Sequence, residues 1–309
     1  MNPKIVETQK VKALLEVASG LTTEGGSPRA KQIVHRVLSD LFKTIEDLDV
    51  TSDEFWTAVN YINELGTAGE TGLLAAGLGL EHFLDLRLDA KDEAAGIPTG
   101  TSRTIEGPLY VAGAPIAEAK VRLDDGREQG EVLVMQGTVR DSAGKPLAGA
   151  IVDVWHANTK GNYSYFDKSQ SDFNLRRRIR SDAEGKYEFR SIMPSGYGCP
   201  PNGPTQGLLD AVGRHGQRPA HIHFFISAPG HRHLTTQINI AGDPLVHDDF
   251  AFATRDDLIP EVVRRAEPEA LRAKALEVPF DEINFDFVLT PLSPSVPDLQ
   301  VKRKRALQG

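Results

Sequence analysis

The sequence predicts an α+β fold: a helical N-terminal region followed by an antiparallel β-sandwich or barrel. Two observations carry this. Up to about Asp89, apolar residues recur at helical spacing. After about Gly96 that period vanishes, prolines and glycines become frequent, and short β-type runs alternate with turn signals. A chain of 309 residues accommodates both regions, drawn here as domains 1–102 and 103–309.

The helical elements come first. Val11, Leu14, Leu15 and Ala18 share one helical face. Ser27-Pro28 is an N-cap with proline in the first turn, followed by the stripe Ile33, Val34, Val37, Leu38, Leu41, Phe42 and Ile45. Thr51 and Glu54 form a capping box ahead of Phe55, Val59 and Ile62. A third apolar stretch runs from Leu73 to Leu88 and contains Glu81, His82 and Phe83. His35 and His82 read as ordinary core or surface histidines. The stripes read as core, with a dimer interface as the alternative for some of them, because a few helices cannot hide all that surface alone.

The expected strands are Val132–Val139, Ala150–His156, Tyr187–Ile192, His221–Ser227, Leu234–Ile240 and Ile283–Leu289, with a last helix within Pro260–Leu276. Asp141–Gly144 and Asp182–Gly185 read as turns.

A net charge of -8 argues against nucleic acid as partner. The basic run Lys302–Arg305 reads as a solvated tail. A single cysteine, Cys199, permits no intramolecular disulfide and suits a cytoplasmic setting. The opening residues lack the apolar core of a signal peptide, and the longest apolar run, Gly72–Leu80, is too short to span a bilayer.

The chemistry concentrates on His221 and His223. Residues two apart on a strand share a face, so both imidazoles can grip one metal ion. The plainer reading of the spacing alone is two imidazoles on a solvated or hydrogen-bonded face. Phe224, Phe225 and Ile226 argue for burial, where paired imidazoles need partners. His231 and His233 follow Pro229-Gly230 and read as surface histidines in a turn. Tyr197 stands between Gly196 and Gly198, and Tyr163 follows Trp155-His156. Either tyrosine could be an ordinary hydrogen-bonded phenol. A phenol ionises at neutral pH only beside strong positive charge, which ferric iron supplies. Zinc sites take thiolate, imidazole or carboxylate instead.

The runs VWHANTKG (154–161), Tyr163, PSGYGC (194–199), GPTQ (203–206) and GRHGQRPAHIHFF (213–225) resemble the intradiol ring-cleaving dioxygenases. RTIEGPLYVAG (103–113) and LTTQIN (234–239) extend the resemblance over nearly the whole chain. It implies intradiol cleavage of catechol by O2 to cis,cis-muconate, with a hydroxyquinol- or chlorocatechol-cleaving sister enzyme as the near alternative. It implies one non-haem Fe(III) per subunit, held by Tyr163, Tyr197, His221 and His223. Tyr197 would also take a substrate proton. Arg218 would stabilise negative charge on the ring, and Gln237 would support the ligands. Leu73, Ile105, Pro108, Phe250 and Ala251 would line the ring pocket, where small Ala76 and Ala251 leave room for a methyl or chloro group. A homodimer through the N-terminal helices and phospholipid in its interface are further implications. Gly137–Ala150 with Ser181–Tyr187 also resembles carboxypeptidase regulatory-like β-sandwich binding modules. Such a module has no use for two tyrosines and His-x-His together, so the enzyme reading is preferred.

Overall fold

The structure is a computed structural model that describes residues 4–300 and 305–307. Two compact units divide at Thr67 and Ala68.

The first unit is helical. Helix α1 spans Gln9–Ala18, α2 Pro28–Asp47 and α3 Ser52–Ala68. The expected caps form: the Ala30 amide donates to Ser27 Oγ at 3.3 Å, with Pro28 opening α2. At α3 the Thr51 amide donates to Glu54 at 2.8 Å and the Glu54 amide donates back to Thr51 Oγ1 at 3.3 Å. Ile33, Val34, Val37, Leu41, Phe55, Trp56 and Ile62 are exposed.

The second unit begins with α4 (Thr71–Gly77) and α5 (Leu80–Ala94). The single helix expected over 73–88 is therefore two, broken at Gly79, whose φ of 71° no helix interior adopts. The strands are β1 (Val111–Ala112), β2 (Ile116–Glu118), β3 (Lys120–Arg122), β4 (Val132–Asp141), β5 (Ile151–His156), β6 (Arg176–Arg180), β7 (Lys186–Ile192) and β8 (Tyr197–Gly198). After α6 (Pro204–Ala211) come β9 (Gln217–Arg218), β10 (His221–Ser227), β11 (Leu234–Asn239) and β12 (Val263–Arg265). Then follow α7 (Pro268–Ala273), β13 (Phe280–Asn284), β14 (Phe287–Leu289) and β15 (Ala306–Leu307).

Two sheets form a sandwich. One has the order β11-β10-β5-β6-β2, the other β12-β13-β4-β7-β3, with β14 also on β4. The core between them takes Val152 and Val154 from β5, Ile222, Phe224 and Ile226 from β10, and Leu133 and Met135 from β4. Each strand gives alternate residues to this core, so its other residues face away.

The sheets are mixed, not purely antiparallel as expected. β13 and β14 run parallel to β4, β2 to β6, and β3 to β7. β13 and β14 return to β4 from more than a hundred residues downstream, so no tight hairpin dictates antiparallel pairing. The expected strand 283–289 is interrupted because Asp286 Oδ1 accepts from the Thr138 amide at 2.7 Å, a side chain standing in for a ladder bond. The last helix is confined to 268–273, because 263–265 instead pairs with β13. Both expected turns close on an aspartate: Asp141 Oδ1 accepts from Ala143 and Lys145, and Asp182 Oδ1 from Glu184 and Lys186.

Of the basic tail, Lys302, Arg303 and Lys304 lie outside the described residues. Arg305 is not the solvated residue expected: it makes a bidentate pair with Glu106 at 2.9 Å and lies over the rings of Tyr110 and Phe225. Among the described residues no helix is long and apolar enough to cross a membrane.

Candidate functional site

The site sits on the face of the five-stranded sheet turned away from the sandwich core. Because Ile222, Phe224 and Ile226 fill the core, His221 and His223 necessarily point to the other side. Both are buried, with their Nε2 atoms 3.0 Å apart. The His221 Nδ1–H donates to the Pro219 carbonyl at 2.7 Å, which leaves its Nε2 lone pair facing His223 and Arg218. Burial, then the Arg218 charge, pushes His221 down to about 3. Burial, then His221, likewise holds His223 well below the ordinary histidine value. Two neutral imidazoles thus aim nitrogens at one spot. In register, His223 stands between Gln237 on β11 and Trp155 on β5.

Tyr197 arrives on the short ladder of β8 with β9, directly opposite Arg218. A side chain at Gly196 would meet the Arg218 carbonyl at 2.5 Å, so only glycine permits this approach. The Tyr197 hydroxyl lies 3.5 Å from His221 Nε2 and 3.4 Å from an Arg218 nitrogen. Tyr163 reaches the same place from the loop after β5. Gly161, with φ 78°, turns that loop against Tyr197, where a Cβ would meet Tyr197 Cβ at 2.8 Å. The two phenol rings meet edge to face at 5.4 Å. Tyr163 is buried and its hydroxyl has no hydrogen-bond partner of normal length. Burial, then Tyr197, holds this phenol well above its ordinary value.

Arg218 is 3% exposed, so its ion pair is a buried one. Its Nε and one Nη clasp Asp249 at 3.1 and 3.0 Å. The same Nη donates to Gln237 Oε1 at 2.8 Å, and the other donates to His221 Nε2 at 3.0 Å. Burial opposes its charge, and the Asp249 carboxylate together with the two phenols more than offsets this, so the guanidinium stays charged. Gln237 in turn donates to Asn239 Oδ1 at 3.0 Å.

The pocket residues divide. Ile105, Phe250 and Ala251 are buried in one cluster with Ala76, Cys199, Leu209 and Ala253. The segment carrying Ile105 and Pro108 passes beside the histidines, since a Cβ on Gly107 would lie 3.8 Å from the His223 ring. Pro108 also lies against Gly72 of α4. Leu73 is half-buried and outside that cluster.

A Dioxygenase family profile matches residues 105–291, and a profile for the catechol dioxygenase N terminus matches 27–96. The chain is 57% identical over 308 residues to a catechol 1,2-dioxygenase of Acinetobacter baylyi, covering 99% of both chains. The chain belongs to the intradiol dioxygenases, close to catechol 1,2-dioxygenase. It is 65% identical over 259 residues to catechol 1,2-dioxygenase 2 of Acinetobacter lwoffii, covering 84% of this dioxygenase and 94% of the relative. A solved catechol 1,2-dioxygenase from Pseudomonas arvilla C-1 superposes with a TM-score of 0.94 at 59% identity, covering 99% of each chain.

The donor set fits a hard trivalent cation. Its nitrogen donors would be the His221 and His223 imidazoles and its oxygen donors the Tyr163 and Tyr197 phenols. The buried Tyr163 hydroxyl, set against the Tyr197 phenol without a hydrogen bond of normal geometry, is the feature that a protein-only site leaves unexplained.

Three features of this dioxygenase site escaped the sequence reading. Asp249, the partner of Arg218, lies 31 residues away, with only the adjacent acids Asp248-Asp249 as a signal. Trp155 stacks on His223 at 5.0 Å and 6°. Tyr110, itself hydrogen-bonded to Asp153 at 2.7 Å, packs against Trp155. The paired position of Trp155 on β5 could have been found from alternation once β5 and β10 were known to be neighbours. His233 is half-buried against Phe225, not a surface histidine, because the turn it follows leads straight into β11. His82 stacks on Phe252 at 6.3 Å, as an ordinary packed histidine would.

Proposed function

We propose that this dioxygenase cleaves catechol between its two hydroxyl-bearing carbons with O2, giving cis,cis-muconate, at one non-haem Fe(III) held by Tyr163, Tyr197, His221 and His223. The observation that carries this is the convergence of two neutral imidazoles and two phenols on one buried spot, flanked by an apolar cluster. Bound there, the ferric ion supplies the positive charge that ionises phenols and draws electron density from a bound diolate. The chain supplies the rest. Tyr197 Oη, at the edge of the set and only half-buried, takes one catechol proton. Arg218 holds a fixed guanidinium beside the charge that develops on the ring. Gln237 holds Arg218 in place. Ile105, Pro108, Phe250 and Ala251, with Leu73 at the margin, form an apolar wall that suits an unsubstituted ring and excludes water.

The test is an optical spectrum before and after anaerobic catechol. A visible phenolate-to-iron band that shifts with catechol, followed by muconate when air is admitted, is the expected result. A protein that stays colourless after iron is supplied, and forms no muconate, overturns it.

The same reading divides the chain at 102 and 103, with the helical part pairing two copies. The exposed apolar residues of α2 and α3 are what a second copy would cover, and phospholipid is a further occupant of such an interface. Sedimentation at micromolar concentration is expected to give a dimer, and a monomer there would remove this part of the proposal. One free, buried cysteine suits a reducing, cytoplasmic setting.

A further inference from the structure

Asp249 does more than balance a charge. It is buried, and its two carboxylate oxygens accept four hydrogen bonds. Two come from Arg218, at 3.1 and 3.0 Å. The other two come from backbone amides of its own loop: Ala251 to Oδ1 at 3.0 Å and Ala253 to Oδ2 at 3.3 Å. Those amides bracket Phe252, whose φ of 56° is a conformation that a bulky residue adopts only when its surroundings enforce it. The Phe252 amide closes the turn on the Asp249 carbonyl at 2.9 Å. This strained turn carries Phe250 and Ala251, which face Ile105 and Ala76 in the apolar cluster. It is tied to β9 again by the Phe250 amide, which donates to the Gln217 carbonyl at 3.1 Å. Arg214 donates to both the Phe250 carbonyl and the Gly77 carbonyl of α4, and lies over the Phe252 ring.

We propose that Asp249 is a positioning residue that locks Arg218 and the Phe250–Ala251 wall into one unit. A single carboxylate then sets both where the guanidinium stands and how closely the pocket fits the substituents of the ring. A carboxylate serving only as counterion would need neither backbone amide. A carboxylate serving only to cap the turn would not be clasped by Arg218. Both roles meet on the same two atoms, so loosening one loosens the other. The inference rests on the pocket reading given above.

The experiment compares Asp249→Asn with the unaltered enzyme on catechol and 4-methylcatechol. The amide keeps the size but turns one acceptor into a donor, which at either oxygen position faces an Arg218 N–H and a backbone N–H of the turn and breaks the shared clamp. Turnover of catechol is expected to fall by about tenfold or more, as a misplaced charge costs. The ratio of the two kcat/KM values is expected to move by at least about threefold toward the methylated ring, within the range that one methyl can contribute in an apolar pocket. Where the single variant yields no folded protein, Arg218→Gln/Asp249→Asn is compared with Arg218→Gln, because the pair removes both buried charges together. The ring preference is expected to move there too, since the turn is loosened independently of Arg218. A ring preference unchanged in whichever comparison folds overturns the proposal, whatever happens to turnover. Failure of the unaltered, iron-loaded enzyme to cleave catechol at all is a different outcome, and would instead refute the proposed function on which this inference stands.

Discussion

Tyr163→Phe is expected to stabilise the metal-free protein while abolishing its use of iron. The reason lies in the hydroxyl, which is buried and has no hydrogen-bond partner of normal length. A buried polar atom without a partner costs roughly 1–3 kcal/mol, and the contact with Tyr197 recovers part of this, so deleting the hydroxyl and keeping the ring should raise stability by up to about 1 kcal/mol. The ring contacts, edge to face with Tyr197 and beneath the Arg176 guanidinium at 5.6 Å, survive the change. The same deletion removes one of four proposed donors to iron. Loss of a supporting group around a metal already costs about 10–100-fold in affinity, so loss of a donor should cost at least about 100-fold. Thermal unfolding of the metal-free variant, iron content after loading and the visible band check the three parts. A variant that binds iron and keeps its colour like the parent would remove Tyr163 from the ligand set. Few substitutions at a merely structural tyrosine raise stability and extinguish function together, so this combination discriminates sharply between the two roles.

The two halves of this prediction mark what was legible in the sequence. The His-x-His spacing placed both imidazoles on one face, and the structure puts them there because the intervening Ile222 belongs to the sandwich core. Capping boxes, aspartate turns and the longer strands followed from local chemistry, which a linear sequence displays. Features that depend on distant chain were hidden. Parallel pairing of β13 with β4 joins Phe280 to Val132, and no local pattern announces such a partner. The short strands β8 and β9 are only two residues each, too short for any periodicity, yet they bring Tyr197 opposite Arg218. Tyr163 and Tyr197 carried no sign of ligation in their own neighbourhoods. Family resemblance singled them out, and the structure adds a buried phenol without a hydrogen bond of normal geometry, packed edge to face on the tyrosine that adjoins His221. Asp249 stayed hidden because its role depends on which arginine the fold lays against it.

Arg218→Gln is expected to separate chemistry from metal binding. Arg218 is not a proposed donor, so iron and the visible band should remain. What goes is a charge held within hydrogen-bonding distance of both Tyr197 and His221. A preorganised donor aimed at developing charge in a buried site contributes about 10²–10³ in turnover, so kcat should fall by that factor while the anaerobic shift of the band with catechol persists. Lysine is not expected to rescue, because one ammonium cannot clasp Asp249, Gln237 and the site together as the planar fork does. The stability cost follows its own logic. Asp249 is held below the ordinary carboxylate range because Arg218, helped by the Ala251 amide and His221, more than offsets its burial. Without the arginine it is an uncompensated buried charge, and breaking such a pair costs about 3–5 kcal/mol. Adding Asp249→Asn should therefore return much of the lost stability and none of the lost turnover. Turnover preserved in Arg218→Gln, or the visible band lost with it, would show that the arginine serves the ligands and not the reacting ring.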